Sequence, residues 1–144
     1  MPDSIFCKII NGDIPSYRVY EDEDVYAFLD ISQVTKGHTL VIPKKHVENI
    51  FEFDEELAAN FFKKVPAIAQ AVKNHDPAIR GLNILNNNGE FASQSVFHAH
   101  IHLIPRYEDE MIDGFGLKWN THDDNYEQKD YQNVLDAIKN EGVN

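Results

Sequence analysis

The sequence contains a single cysteine, Cys7, so no intramolecular disulfide can form, and a reducing compartment suits the chain. It is also short of cations. Thirteen Lys and Arg stand against 24 Asp and Glu, a formal net charge of −11. Such a chain is repelled by phosphate polymers and by anionic lipid surfaces, so neither nucleic acid nor a membrane is expected as a partner. No apolar run approaches the roughly 20 residues that span a bilayer. The start, Met1-Pro2-Asp3-Ser4, has no basic stretch leading into an apolar one. No signal peptide is therefore expected, and the cytoplasm is the expected location. Internal repeats and low-complexity tracts are lacking as well.

What is present is enough for one domain with a real core: 144 residues, 42% hydrophobic and 11% aromatic. The expected domain is 1–144, with a less regular tail from about residue 107. A small anion can still bind, because local donors outweigh net charge at short range.

Short periodic segments alternate with turn signals. Ser4 suits the N-cap of one or two helical turns over 4–10, stopped by Asn11-Gly12. Residues 17–20 and 25–29 are β-rich runs joined at Glu21-Asp22-Glu23-Asp24, which reads as a hairpin. Residues 38–42 form a further strand, ended by Pro43. From Asp54, a good N-cap, the apolar residues Leu57, Phe61, Val65, Ile68 and Val72 recur at helical spacing to about residue 74. Pro66 lies within that stripe and should kink or split the helix. Strands are expected at 81–85 and 96–104. A last helix, 129–140, presents Val134, Leu135 and Ile138. The sum is α+β: an antiparallel sheet of about five strands, with one long and two short helices packed on one face.

The stretch that carries chemistry is Val96-Phe97-His98-Ala99-His100-Ile101-His102-Leu103-Ile104-Pro105-Arg106. In a strand His98, His100 and His102 share one face, spaced about 6.6–6.8 Å at the backbone. Ala99, Ile101 and Leu103 share the other and require a core. Three imidazoles in a row cannot be buried without partners, so that face must meet polar groups, a metal or a ligand. Neutral imidazole is nucleophilic, and its pKa lies near physiological pH. One ring can attack phosphorus while its neighbours hold charge on the phosphate oxygens. The preceding Phe91-Ala92-Ser93-Gln94-Ser95 supplies small residues beside which backbone N–H groups can approach an anion.

His98-Ala99-His100-Ile101-His102-Leu103-Ile104 resembles the motif of the histidine triad (HIT) family, in which His alternates with hydrophobic residues. Three further blocks fit in family order: residues 5–10, Phe28-Leu29-Asp30-Ile31-Ser32, and 37–46. The chain is most similar to the small bacterial, Hint-like branch. The resemblance implies a nucleotide hydrolase or transferase working through a nucleotidyl-histidine. His100 would be the nucleophile, and His102 would bind the phosphate or the bridging atom. His98 would join a supporting network with His38, and Ser95 would contact the leaving group or a phosphate oxygen. Asn87, Ser93 and Gln94 would lie on the phosphate side, although Asn86 and Asn88 blur the register of Asn87. Asp30 would accept both ribose hydroxyls. Phe6, Ile9, Phe28, Leu29, Ile31 and Leu40 would line the base pocket, although each is an equally good core residue. A homodimer is implied, with Trp119 placed to reach the partner's site or to pack on its own subunit. The expected partner is a purine nucleotide.

Two positions depart from the family pattern. Ser93 stands where the family usually has Gly. Ser4 stands at the first position of a Cys-x-x-Cys pair that, in some bacterial relatives, joins two histidines around zinc. Here Cys7, His46 and His98 are left, and a hydroxyl is a poor zinc ligand. No cofactor is required by the implied chemistry, and structural zinc is expected to be weak or absent. Two other readings of the same residues stay open. One is a metal-dependent protein with the histidines as ligands, since His-x-His is a common metal spacing. The other is a nucleotide-binding regulator with negligible turnover.

Overall fold

The structure, a computed structural model, describes residues 4–143. Residues 1–3, part of the start read above as lacking a leader, lie outside the described residues. No helix among the described residues is long and apolar enough to cross a membrane.

Five strands form one antiparallel sheet: β1 (Arg18–Glu21), β2 (Val25–Leu29), β3 (Thr39–Pro43), β4 (Ile79–Leu85) and β5 (Ile101–Tyr107), in the spatial order β1-β2-β3-β5-β4. The β1–β2 hairpin is the expected one. It is closed by Asp22, whose carboxylate accepts the Asp24 and Val25 N–H groups at 2.8 Å. In β2, β3 and β5, Phe28 lies opposite Leu40 and Leu40 opposite His102, while Leu29 lies opposite Thr39 and Thr39 opposite Leu103. Alternation therefore sorts Phe28, Leu40 and His102 onto one face and Leu29, Thr39 and Leu103 onto the other.

The second face is the main core. Val25, Ala27, Val41, Ile101 and Leu103 pack against Phe61, Val65, Ile68 and Val72 from the expected helical stripe. That stripe is split at Pro66. Helix α2 (Glu55–Phe62) is capped by Asp54, and α3 (Val65–Asn74) carries Pro66 in its first turn, where a missing N–H removes no helical bond. Helix α1 (Ile5–Ile10), capped by the Ser4 hydroxyl, lies on the opposite face, with Phe6 packed against Tyr26, Phe28, Leu40 and Ile42. The expectation of helices on one face alone is corrected by α1. That strand face is too apolar to be left to water. Helix α4 (Gln128–Asn140) forms where expected but buries none of its residues; Val134, Leu135 and Ile138 are exposed.

A second correction concerns the histidine stretch. Strand β5 begins at Ile101 rather than 96, so only His102 of the triad lies in the sheet. The backbone before it finds other partners: Ala99 N–H donates to Val47 O at 2.8 Å, and side chains occupy the carbonyls of His98 and His100. A chain whose polar groups are satisfied in this way has no need of a ladder.

Phe61, 1% exposed at the centre of the main core, tests this packing. Phe61→Ala should cost about 3–5 kcal/mol, read as a lower urea midpoint.

Candidate active site

Each histidine is held differently. His98 is fully buried; its Nε2–H donates to the Pro43 carbonyl at 2.8 Å and its Nδ1 accepts the Ser4 hydroxyl at 2.8 Å. Cys7 Sγ lies 3.7 Å from the same Nδ1. The expected pairing of His98 with His38 does not form, because these bonds turn the His98 ring toward α1 and the end of β3. What His98 gives the site is its carbonyl, which faces His100 Nδ1 at 2.7 Å. A carbonyl can only accept, so the hydrogen of His100 sits on Nδ1 and the lone pair is left on Nε2. The Phe6 ring packs edge-on against His100 at 5.2 Å. Burial holds the His100 pKa below the usual imidazole range, so Nε2 is unprotonated at neutral pH.

His38 is buried, at 3% exposed. Its Nδ1 accepts the Val34 N–H at 3.4 Å, and its Nε2 lies 2.9 Å from His102 Nδ1. Asp30 Oδ2 is 3.7 Å from that Nε2 and favours a hydrogen there. This inventory makes His38 Nε2 the donor to His102 Nδ1 and places the His102 hydrogen on Nε2. Burial, with His100 and His38 adding to it, pushes the His102 pKa down to about 4, against the pull of Asp30.

The other candidates divide. Asp30 Oδ1 accepts Ser32 N–H at 2.8 Å, leaving Oδ2 toward His38. Phe6, Phe28 and Leu40 are buried beneath the histidine face with Ile9 against them. Leu29, expected in the same pocket, faces α3 instead, lining a cleft with Thr39 and Val72, since it follows Phe28 in a strand. Ile31 lies beyond the strand end and is 87% exposed. Asn86 donates to the His100 carbonyl at 2.9 Å, and Asn88 bridges Asn86 and the Ile50 N–H. Asn87 is half-buried and has no side-chain hydrogen bond among the described residues. Gln94 is buried, with its amide joining Gly89 N–H, Glu48 O and Val96 O, so it staples two loops rather than facing a ligand. Ser95 is exposed. Ser93 is exposed and left-handed at φ 74, the conformation glycine adopts most readily. Trp119 is exposed. Sequence reasoning passed over Gln33, whose amide holds the carbonyls of Asp30 and His38 and the Gly37 N–H. No periodicity marks such a residue.

The residues around Cys7 fit part of a zinc site. Donor atoms of Cys7, His46 and His98 lie within 4.8 Å of one another. Both rings give Nε2 to a main-chain carbonyl, Phe97 for His46 and Pro43 for His98, as metal-bound histidines commonly do. His46 Nδ1 is buried without a partner among the described residues. At the fourth position the Ser4 hydroxyl instead occupies the lone pair of His98 Nδ1. A metal held there would tie α1 to the His98 segment and contribute no chemistry. Ser4→Cys should tighten zinc binding at least about tenfold in competition with a chromogenic chelator.

The buried imidazoles make stability depend on pH. The folded pKa values of His98 and His102 are lowered to about 4, whereas unfolded imidazole titrates near 6.5. Their contribution is complete above about pH 6.5 and is lost as pH falls toward 4, by up to about 1.4 kcal/mol per pH unit for each group. Urea midpoints at pH 7, 6 and 5 should fall progressively, and equal midpoints would contradict the burial.

Residues 11–109 match the HIT domain family. The chain is 63% identical over 134 residues to Protein hit of Bacillus subtilis, covering 93% of this chain and 90% of that protein. It is 39% identical to an adenosine 5'-monophosphoramidase of Candida albicans, covering 80% of this chain and 76% of the other. A crystal structure of a HIT family member from Bacillus subtilis superposes with a TM-score of 0.93 at 58% identity, over 99% of both chains. The five-stranded sheet and the matching sequence identify the chain as a member of the HIT family.

Proposed function

We propose that the protein is a nucleotide hydrolase that cleaves at the α-phosphate of a purine nucleotide derivative, with a phosphoramidate as the reference substrate. The observation that carries this reading is the His100 ring: Nδ1–H is tied to the His98 carbonyl and Nε2 is left as an unprotonated nucleophile. The Candida relative named as a monophosphoramidase supports the reaction class.

The base would lie over Phe6, Phe28 and Leu40, and the ribose hydroxyls on Asp30. His100 Nε2 forms a bond to the α-phosphorus while the phosphorus–nitrogen bond to the leaving amine breaks. The bond's electron pair goes to the amine, which takes a proton from solvent past the exposed Ser95 hydroxyl. His102 Nε2–H donates to a phosphate oxygen as charge builds there, and Asn87 supplies a second donor. Water then attacks phosphorus, the bond to Nε2 breaks, and a nucleoside monophosphate leaves as the water gives its proton to solvent. No step uses a metal. In a homodimer the exposed Trp119 would reach the partner's leaving-group side.

Wild type should release AMP from an adenosine phosphoramidate in the presence of EDTA, and His100→Ala should lose at least about a hundredfold in kcat/KM. The acid limb of the pH profile should fall below 6.5, since His100 resists protonation. Equal rates for wild type and His100→Ala would remove His100 as nucleophile. Tight AMP binding with no turnover would instead mark a binding protein.

A further inference from the structure

After β5 the chain returns to the site from behind. Asp113 is the hub of this return. Its carboxylate accepts Arg106 Nε at 2.9 Å, Tyr107 N–H at 2.9 Å and Phe115 N–H at 3.1 Å. These donors hold its pKa below the usual carboxylate range against partial burial. Arg106 in turn donates to the Phe115 carbonyl at 2.9 Å and to Asn83 Oδ1 at 2.7 Å, and its guanidinium lies 5.2 Å from the Phe115 ring centre. The segment Asp113-Gly114-Phe115 is thereby fastened to β5 as a strap.

The strap grips the loop that carries His38. Asp113 makes an isolated antiparallel bridge with buried Thr35. Gly114 N–H donates to the Val34 carbonyl at 2.8 Å. Tyr107 Oη donates to the Lys36 carbonyl. A Cβ on Gly114 would stand 2.8 Å from the Val34 oxygen, a contact that forces movement. Val34 is the residue whose N–H meets His38 Nδ1 at 3.4 Å, a contact that, with Asp30 near Nε2, favours the His38 hydrogen on Nε2.

We propose that the Asp113-Gly114-Phe115 strap is a positioning element. By fixing Val34 it imposes the tautomer of His38, and through the His38–His102 hydrogen bond the tautomer of His102, so that His102 presents Nε2–H to the substrate phosphate. The relay runs from Gly114 N–H to Val34 O, from Val34 N–H to His38 Nδ1, and from His38 Nε2–H to His102 Nδ1. The catalytic consequence rests on the function proposed above, but the tautomer relay does not.

The experiment is nitrogen-15 NMR of the imidazoles in Asp113→Asn and Gly114→Ala, run beside turnover of the adenosine phosphoramidate. Gly116→Ala, where a Cβ meets nothing within 4 Å, is the control. Wild type and the control should show hydrogens on Nε2 of both His38 and His102. The two strap variants should show mixed tautomers, with kcat reduced about ten- to hundredfold and KM changed much less. Tyr107→Phe removes a single strap contact and gives a weaker form of the same shift if a stronger variant fails to fold. Unchanged imidazole signals in folded strap variants overturn the proposal whatever the rates. Changed signals with unchanged kcat keep the relay but overturn its catalytic role. If wild type and His100→Ala turn over alike, the reaction assignment fails while the relay is still judged on its imidazole signals.

Discussion

A hydrogen bond between two members of the triad, from the His100 ring to the carbonyl of His98, is the contact on which the site depends. It orients a buried imidazole and selects its tautomer without bringing another charge near it. A neutral hydrogen bond of this kind adds only about 0.5–1.5 kcal/mol net, but leaving either group unpaired in a buried site costs about 1–3 kcal/mol. The His98 carbonyl is available only because the chain is not yet in a strand there, as β5 starts at Ile101. His98 is therefore built into the wall, by Pro43 on one side and Ser4 on the other, and it acts through its backbone.

The sheet separates stability from chemistry. One face carries the packed core of α2 and α3, whose buried members are all apolar. The other is shared between α1 and the histidines, where Phe6 serves both, packing on Phe28 and edge-on to His98 and His100. Burying three imidazoles uncharged, with His102 half-buried beside them, has a thermodynamic consequence. Desolvation keeps His100 Nε2 unprotonated at neutral pH, and burial of these rings also makes the fold vulnerable to acid. Side-chain amides connect the loops between the two faces: Gln33 behind Asp30 and His38, Asn86 at the His100 carbonyl, Gln94 across the turns before the triad. These contacts link segments far apart in the chain, and they explain how a site made largely of loop residues keeps its shape.

The net charge of −11 and the proposed anionic substrate are compatible on this scale. The candidate phosphate donors are short-range and neutral: His102 Nε2–H, the Asn87 amide, and the Ser93 and Ser95 hydroxyls. Lys44, which lies near the site in sequence, is paired with Glu21 at 2.6 Å. The protein thus lacks a strong positive field to draw in polyanions, while a single small anion can be bound by directed hydrogen bonds.

The sequence by itself determined what local periodicity and local chemistry can carry. These were the hairpin at Asp22, the capped starts of α1 and α2, the break at Pro66, and the apolar stripe of Phe61 and Val65. The family identity rested on the alternating histidines and three further blocks. Tertiary structure decided whatever depends on partners distant in the chain. The spacing of His98, His100 and His102 read as one strand face, but long-range acceptors and donors at Pro43, Val47, Ser4 and Asn86 replaced the ladder and gave each ring its own role. Three adjacent asparagines were indistinguishable until two were seen to bond within the scaffold. Phe28 and Leu29 looked equally fit for a base pocket, and strand pairing sent them to opposite faces. The contacts that make Asp113 a hub had no signal in the sequence, because a carboxylate gathers three donors only when a folded chain brings them together.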